Sequence, residues 1–294
     1  MPEGGVKKIS HAEILTLEEI LRIARIFTRL GIKKIRLTGG EPLLRKNLPA
    51  LIRELKNLSG IEQVTLTTNG VLLKDCAADL ISAGLDGVNL SLDTLDEKTF
   101  STLTRRKFLD KVLGSLQTLL DGKLSLKINC VPLRGINDEE ILELAALAKD
   151  NLIKVRFIEL MPIGCAFESG LRGIPTAEIF STLEKNFGLV PVLEENSLSG
   201  PAKYFQPRNF KGQLGFIDAL EHKFCGDCNR IRLTAEGFLK TCLSFDTGLD
   251  LKSLLRSGVD DGELLSKIRE TIYRKPREHI FNGATKFQMY KIGG

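Results

Sequence analysis

Short β-rich segments alternate with helical segments over roughly the first two hundred residues, and this alternation limits the possible folds more than any other feature. The β-rich segments begin 29, 26, 37 and 29 residues apart, and they lie at residues 32–40, 61–70, 87–95, 124–133 and 153–163. Strand, helix and strand at such intervals are typical of βαβ units and a parallel sheet. Because polar residues gather at the carboxyl ends of these segments, the pattern predicts a (β/α) barrel or part of one.

Two of the intervening segments carry signals for the start of a helix. Thr16 and Glu19 form a capping-box pair before an amphipathic segment, and Gly31 stands where that helix would end. Asn137 precedes a second segment, 137–150, whose first turn is acidic. We therefore expect Asn137 to be a helix N-cap.

The pattern changes near residue 190. Residues 190–204 are rich in turn formers, and residues 213–220 have the composition of a strand. The sequence LTAEGFLKTC then predicts a hairpin around Glu236 and Gly237, followed by a helical tail. We predict two domains, an α/β barrel domain at 1–195 and an α+β domain at 196–294.

Composition excludes several classes of protein. The formal net charge is +5 without a block of like charges, and the chain has three Tyr and no Trp, so neither a basic tail nor an aromatic platform for nucleic-acid bases is expected. The first ten residues lack the apolar core of a secretory signal, and no apolar run reaches the roughly 18 residues of a membrane span. In such a protein, six Cys are expected as reduced thiols or metal ligands.

The segment FCGDCNRIRLTAEGFLKTC, residues 224–242, places three of the Cys at C-x2-C-x13-C: Cys225, Cys228 and Cys242. A three-thiolate set suits a 4Fe-4S cluster that keeps one iron open. A zinc site with His222 as fourth ligand is the alternative. The three other Cys (Cys76, Cys130 and Cys165) share no ligand spacing, and we interpret them as idle thiols.

Arginines accompany these candidate ligands. Arg230 and Arg232 alternate within NRIRL, so on a strand both side chains would leave one face and could hold an anion. The alternative is a pair of exposed arginines on a hairpin. Arg36, Lys127 and Arg156 stand near the ends of the predicted barrel strands and favour a phosphorylated substrate, unless they are solvated strand termini.

Six stretches occur in one order along the chain: RLTGGEP, TTNG, SLD, RFIELMP, FCGDCNRIRLTAEG and a terminal Gly-Gly. Together they resemble the molybdenum cofactor biosynthesis protein A family, the radical S-adenosylmethionine (SAM) enzymes known as GTP 3',8-cyclases. The resemblance runs along the whole chain. It implies an α/β fold, an incomplete (β/α) barrel of the radical SAM type with a C-terminal α+β iron–sulfur subdomain.

The resemblance also implies roles for individual residues. GTP would be bound by Arg36, Thr67, Lys127, Arg156, Arg230, Ile231 and Arg232. SAM would be bound by Gly40, Glu41, Ser91 and Met161, with Pro42 shaping the same loop. A second 4Fe-4S cluster would be held by Cys225, Cys228 and Cys242, with the purine of GTP on its open iron, and the tail Gly293–Gly294 would reach the active site.

The reaction that the resemblance implies is a radical cyclisation in molybdenum cofactor biosynthesis. A first cluster reduces SAM, the resulting radical takes hydrogen from C3′ of GTP, and the product is (8S)-3',8-cyclo-7,8-dihydroguanosine 5'-triphosphate. The implied partners are a downstream cyclic pyranopterin monophosphate synthase and a second copy of the chain, with no nucleic acid and no membrane. The implied location is the cytoplasm, or the mitochondrial matrix in a eukaryote.

The sequence departs from this family at its start. The family holds its N-terminal 4Fe-4S cluster with C-x3-C-x2-C, and the printed sequence has no such ligands, no first strand and no upstream arginine. We therefore expect residues 1–195 to form a partial barrel, seen without its N-terminus. A catalytically inactive remnant that binds GTP at a single cluster is one alternative, and a zinc-stapled scaffold or nucleic-acid binder is another.

Overall fold

The computed structural model describes residues 9–122, 124–164, 166, 170–193, 198, 200–220, 225–279 and 292. The chain forms two compact units: a first unit of residues 1–64, 162–168 and 225–294, and a second unit of residues 65–161 and 169–224. None of the helices in the described ranges is long and apolar enough to cross a membrane.

The helices of the described residues are α1 (Leu17–Arg29), α2 (Leu48–Lys56), α3 (Leu73–Ser82), α4 (Glu97–Thr104), α5 (Leu109–Leu120), α6 (Ile141–Ala146), α7 (Thr176–Phe187), α8 (Leu251–Arg256) and α9 (Asp261–Tyr273). The strands are β1 (Lys34–Leu37), β2 (Gln63–Thr68), β3 (Gly87–Ser91), β4 (Ser125–Cys130), β5 (Lys154–Ile158), β6 (Leu189–Val192), β7 (Lys203–Pro207), β8 (Gln213–Ile217), β9 (Arg232–Leu233), β10 (Phe238–Lys240) and β11 (Gly248–Asp250).

The second unit is built on a mixed sheet with the strand order β2-β3-β4-β5-β8-β7-β6. Strands β2, β3, β4, β5 and β8 are parallel neighbours, and β7 and β6 continue the sheet antiparallel. Helices α3 to α7 connect these strands. The predicted α/β class is confirmed, and the helix-connected parallel strands are consistent with an incomplete (β/α) barrel.

The central parallel strands β3 and β4 alternate between apolar and polar side chains. Val88 and Leu90 of β3 and Leu126 and Ile128 of β4 are at most 3% exposed and pack into the apolar core. The residues between them, Asn89 among others, are polar. Since successive side chains leave opposite faces of a strand, the sheet has one apolar face and one polar face.

The first unit combines helices from early in the sequence with a strand and helices from late in the sequence. Its core is formed by buried side chains of α1, β10, α8 and α9, preceded by Leu15: Leu15, Ile23, Ile26, Phe27, Leu239, Leu251, Leu255, Leu264 and Ile268. Leu15 N–H also donates to the carbonyl of Ala235 at 2.8 Å. The compact units thus divide the chain differently from a single boundary near residue 195.

Local signals in the sequence account for several boundaries. Thr16 and Glu19 form the predicted capping box, because Thr16 N–H donates to the Glu19 carboxylate at 2.8 Å and Glu19 N–H donates to Thr16 Oγ1 at 3.2 Å. Gly31 takes φ +80° just after α1, as expected for the residue that ends a helix.

Asn137 stands at the predicted N-cap position, but its side chain does not cap the helix. Asn137 precedes a 3-10 turn, Asp138–Glu140, and its side chain makes no capping bond. Instead, Asn137 Oδ1 accepts from Leu133 N–H at 2.7 Å, and Nδ2 donates to the carbonyl of Asp93 at 2.7 Å. The side chain is buried because it links the ends of two parallel strands, which the local sequence pattern does not reveal.

Candidate functional site

The polar face of the second unit's sheet collects the polar residues that the sequence places on its barrel strands. Parallel pairing aligns them in two rows, Thr67–Asn89–Lys127 and Ser91–Asn129–Arg156. Side chains of one row leave the same face, so adjacent strands present a continuous polar surface. The predicted residues Thr67, Ser91, Lys127 and Arg156 are therefore brought together on one face.

Three of these side chains form a hydrogen-bonded chain across the strands. Arg156 is only 3% exposed, and its Nη2 donates to Asn89 Oδ1 at 2.8 Å. Asn89 Nδ2 then donates to Thr67 Oγ1 at 3.1 Å. Because a guanidinium stays protonated, the network holds a buried cation, which suits recognition of a phosphate or carboxylate.

Asn89 was missed at the level of sequence. Its side-chain amide accepts a hydrogen bond from Arg156 and donates one to Thr67. A signal existed, since Asn is disfavoured in strands and stands here between two apolar residues of β3. Such a residue is expected to have a specific hydrogen-bonding role when it is buried.

A tyrosine and a glycine complete this face. The Nζ atoms of Lys154 and Lys127 lie 4.1 Å and 5.8 Å from the ring centroid of Tyr204 on β7. A Cβ at Gly215 of β8 would come within 2.8 Å of that ring and 3.0 Å of Arg156 Cγ. Gly215 thus allows Tyr204 and Arg156 to lie against β8. The sequence predicted a role for Arg156 but not for Tyr204 or Gly215.

Polar atoms on the same face lack protein partners. Among the described residues, Thr65 Oγ1, Asn129 Oδ1 and Gln213 Oε1 are buried and accept or donate no hydrogen bond. All three belong to the strand positions that face away from the apolar core. Buried polar groups normally have partners, so this face is suited to a polar ligand or to bound water.

The end of β3 carries the SLD stretch. Ser91 is the exposed last residue of β3, and Met161 follows β5 with partial exposure. Asp93 lies between the strand ends, where its Oδ1 accepts from Val131 N–H at 2.8 Å. Burial raises the pKa of the Asp93 carboxyl to about 6, although the bond from Val131 lowers it.

The glycine-rich turn after β1 lies in the first unit. Gly39 takes φ +143°, a conformation that only glycine adopts readily. A Cβ at Gly40 would meet no atom within 4 Å, so the space beside Gly40 is open to a ligand. Glu41 Oε1 accepts from Leu43 N–H at 3.1 Å and caps the turn Pro42–Leu44.

Arg36 belongs to β1, also in the first unit, and is exposed. The assignment of Arg36 to GTP stays a prediction. No described contact assigns it to a ligand.

The candidate cluster ligands are free thiols in the first unit, each with a different partner. Cys225 Sγ lies 2.9 Å from His279 Nδ1, and Cys242 Sγ lies 3.4 Å from Ser244 Oγ. Cys228 Sγ accepts from Lys275 Nζ at 3.2 Å. His222, the fourth zinc ligand considered from the sequence, lies outside the described residues.

Positive charge surrounds these thiols. Burial and the neighbouring charge of Arg230 lower the pKa of Arg232 to about 10, while the thiols of Cys228 and Cys242 act in the opposite direction. Burial raises the pKa of Cys228, but the backbone N–H of Arg230 and the charges of Arg230 and Lys275 lower it overall. Two arginines and two thiols therefore share one electrostatic environment.

The predicted alternation of Arg230 and Arg232 along a strand is wrong, because β9 begins only at Arg232. The charge of Arg230 nevertheless acts on Arg232, so the two guanidinium groups are electrostatic neighbours. The predicted hairpin itself is confirmed: β9 pairs antiparallel with β10, and Gly237 takes φ +85° in the turn. Ile231 directly precedes β9 and is partly buried.

Within the described residues, no three His, Cys, Asp or Glu side chains lie close enough together to hold a metal ion. The donor chemistry nevertheless fits an iron–sulfur cluster, because Cys225, Cys228 and Cys242 are unbridged thiols and cations favour the thiolate form of Cys228. The tail residues Gly293 and Gly294 lie outside the described residues.

Comparisons with known proteins match the whole chain. The family model described as Radical SAM superfamily matches residues 3–148, and the model described as Molybdenum Cofactor Synthesis C matches residues 153–281. The first of these agrees with the helix-connected parallel strands, and the second includes all three candidate cluster ligands.

Several curated relatives are similar over nearly their entire length, and each bears the name GTP 3',8-cyclase. One from Clostridium perfringens (strain 13 / Type A) is 44% identical over 290 positions, which cover 97% of this chain and 89% of the relative. One from Desulforamulus reducens is 44% identical, with 100% of this chain and 92% of the relative covered. One from Moorella thermoacetica is 43% identical at the same coverage.

Proposed function

The chain belongs to the GTP 3',8-cyclase family of radical SAM enzymes, and we propose that it cyclises GTP in molybdenum cofactor biosynthesis. The structural observation that carries this function is the gathering of free thiols and arginines in the first unit. Thiolates bind iron, and guanidinium groups bind phosphate, so the arrangement suits a nucleotide bound beside an iron–sulfur cluster.

In this proposal, Cys225, Cys228 and Cys242 hold a 4Fe-4S cluster. Three ligands leave one iron available to the substrate, as the predicted role of the purine of GTP requires. Arg230 and Arg232 bind GTP near the cluster, with Ile231 between them. The lowering of the pKa of the Cys228 thiol supports this assignment, because the thiolate is the form that binds iron.

The polar face of the second unit supplies a second set of proposed GTP-binding residues. Arg156, held by Asn89, presents a fixed cation, and Thr67 and Lys127 lie in the adjacent row. Arg36 is a further proposed GTP contact. Since a guanidinium held by a buried amide loses little freedom on binding, it is suited to orient the substrate.

SAM is assigned to Gly40, Glu41, Ser91 and Met161. The open space beside Gly40 supports a close approach of the cofactor to the backbone. When bound and reduced, SAM supplies the radical that takes hydrogen from the ribose of GTP. We assign no residue to the family's N-terminal cluster, because the printed sequence contains no C-x3-C-x2-C.

Further parts of the proposal rest on the family alone. They are a homodimer, a cytoplasmic location, an active-site role for the Gly293–Gly294 tail, and delivery of the product to cyclic pyranopterin monophosphate synthase. A domain boundary near residue 195 rests on the change of sequence pattern there.

The test is anaerobic reconstitution of the full chain with iron and sulfide, followed by iron analysis and equilibrium binding of GTP. Cys225→Ala is expected to lose the 4Fe-4S signal and GTP binding, since two thiolates do not hold the cluster. Cys76→Ala is the matched control, because Cys76 lies in α3 and donates to the carbonyl of Leu72. Undiminished iron in Cys225→Ala, or zinc in place of iron in the unmodified chain, would refute the proposal.

A further inference from the structure

The segment that follows α9 places a lysine against the C-x2-C pair. Lys275 Nζ donates to the carbonyl of Cys228, to Cys228 Sγ at 3.2 Å and to the carbonyl of Arg230 at 2.9 Å. An ammonium group has three donors, and these three acceptors use all of them. The side chain is partly buried, so the bonds are shielded from water.

The three acceptors belong to one short stretch of backbone. By binding the carbonyls of Cys228 and Arg230, on both sides of Asn229, Lys275 fixes this stretch of backbone. The direction of the Cys228 sulfur and the start of the arginine-bearing segment are therefore set by the same amine. A residue that only filled space would not need a donor for each of these oxygen and sulfur atoms.

The other cysteine of the pair is held from the same segment. His279 is only 9% exposed, and its Nδ1 lies 2.9 Å from Cys225 Sγ. Lys275 and His279 are four residues apart, and each contacts one of the two sulfurs. The C-x2-C pair is thus oriented by a segment about fifty residues further along the chain, as the separations of 47 and 54 residues show.

We propose that Lys275 is a positioning residue of the cluster site, which aims the Cys228 sulfur and donates a hydrogen bond to it, and that His279 does the same for Cys225. The inference rests on the proposed function, because it assumes that these sulfurs ligate iron. Hydrogen bonds donated to cluster sulfurs and nearby positive charge raise the reduction potential of the cluster, since reduction adds negative charge. Loss of a residue that orients a metal ligand typically costs about 10- to 100-fold in metal affinity.

The experiment uses the full chain, reconstituted anaerobically, and four variants. Lys275→Met removes the charge and the donors at similar volume, and Lys275→Arg retains both. His279→Asn removes the ring while keeping a donor. Lys267→Met is the control, because Lys267 lies on the exposed side of α9 and pairs only with Glu263 among the described contacts.

Two quantities are measured: the rate at which a chelator removes iron, and the midpoint potential of the cluster followed by electron paramagnetic resonance. We expect Lys275→Met to lose iron about 10- to 100-fold faster and to have a lower potential. Lys275→Arg should recover most of the potential, and Lys267→Met should match the unmodified protein.

Unchanged iron loss and potential in Lys275→Met would overturn the inference while leaving the proposed function intact. Equal iron loss in Lys275→Met and Lys275→Arg without a change in potential would also overturn it, because it would indicate a purely structural role. If Lys275→Met does not fold, His279→Asn decides. Faster iron loss and a changed potential in His279→Asn would support the inference, and values equal to those of the unmodified chain would overturn it. Absence of a cluster in the unmodified chain would instead refute the proposed function.

Discussion

Replacing Asp93 with Asn should stabilise the protein above pH 6 and have little effect near pH 4. Burial raises the pKa of the Asp93 carboxyl to about 6, from 3.8 in an unperturbed residue. Between these values the folded state binds more protons than the unfolded state, so stability falls as the pH rises. Asn cannot ionise, and its Oδ1 still accepts the N–H of Val131.

The magnitude follows from the two pKa values. Their difference corresponds to about 3 kcal/mol of unfolding free energy, which is fully lost above pH 6 and fully retained below pH 3.8. At pH 4.5 the expected loss is about 1 kcal/mol, and at pH 8 it is about 3 kcal/mol. The free energy of unfolding of Asp93→Asn should therefore exceed that of the unmodified chain by these amounts at the two pH values.

Urea denaturation of both proteins at pH 4.5 and pH 8 measures this difference directly. The informative quantity is the change in the stability gap between the two pH values, about 2 kcal/mol. Effects of the substitution that do not involve ionisation cancel in this comparison. A gap that is the same at both pH values would refute the reasoning.

Four further substitutions test local contacts of the structure by urea denaturation. Gly70→Ala should cost about 3 kcal/mol, because Gly70 has φ +80° and its new Cβ would lie 2.5 Å from a core leucine. Gly135→Ala, with φ +70° and no atom within 4 Å, should cost only about 1 kcal/mol, and equal losses would contradict the clash. Thr16→Ala should cost about 1 kcal/mol by removing the cap of α1, so an unchanged midpoint would exclude a capping role. Asn89→Ala should cost about 2 kcal/mol because the buried Arg156 loses an acceptor; a loss below 0.5 kcal/mol, about the lower limit for one hydrogen bond, would argue against the network.

Several features of the site could be predicted from sequence because they depend on nearby residues. Glu236-Gly237 indicated the hairpin, which the pairing of β9 with β10 confirms. The spacing of Cys225, Cys228 and Cys242 indicated a metal site, which stays a prediction. Gly39 and Gly40 indicated a turn with an accessible backbone. The positive φ of Gly39 and the open space beside Gly40 agree with this interpretation. Residues within a few positions of one another interact through local geometry, so their pattern carries the information.

Other parts of the site required the folded chain. Asn89 and Arg156 are 67 residues apart, and their hydrogen bond depends on the register of three neighbouring strands. Tyr204 reaches the lysines of β4 and β5 only because β7 joins the same sheet. The register of a sheet follows from the burial of its apolar face as a whole, and no short stretch of sequence specifies it.

The sequence by itself determined the βα alternation, the helix cap at Thr16 and the candidate ligand set, because each follows from periodicity or spacing over a few residues. Only the tertiary structure decided that Asn137 ties two strand ends together and that Lys275 and His279 hold the two sulfurs of the C-x2-C pair. These side chains come to their partners through chain closure over 44 to 54 residues. The entropy cost of such closures is offset by packing of the whole core, so the sequence pattern around each residue does not predict its distant partner.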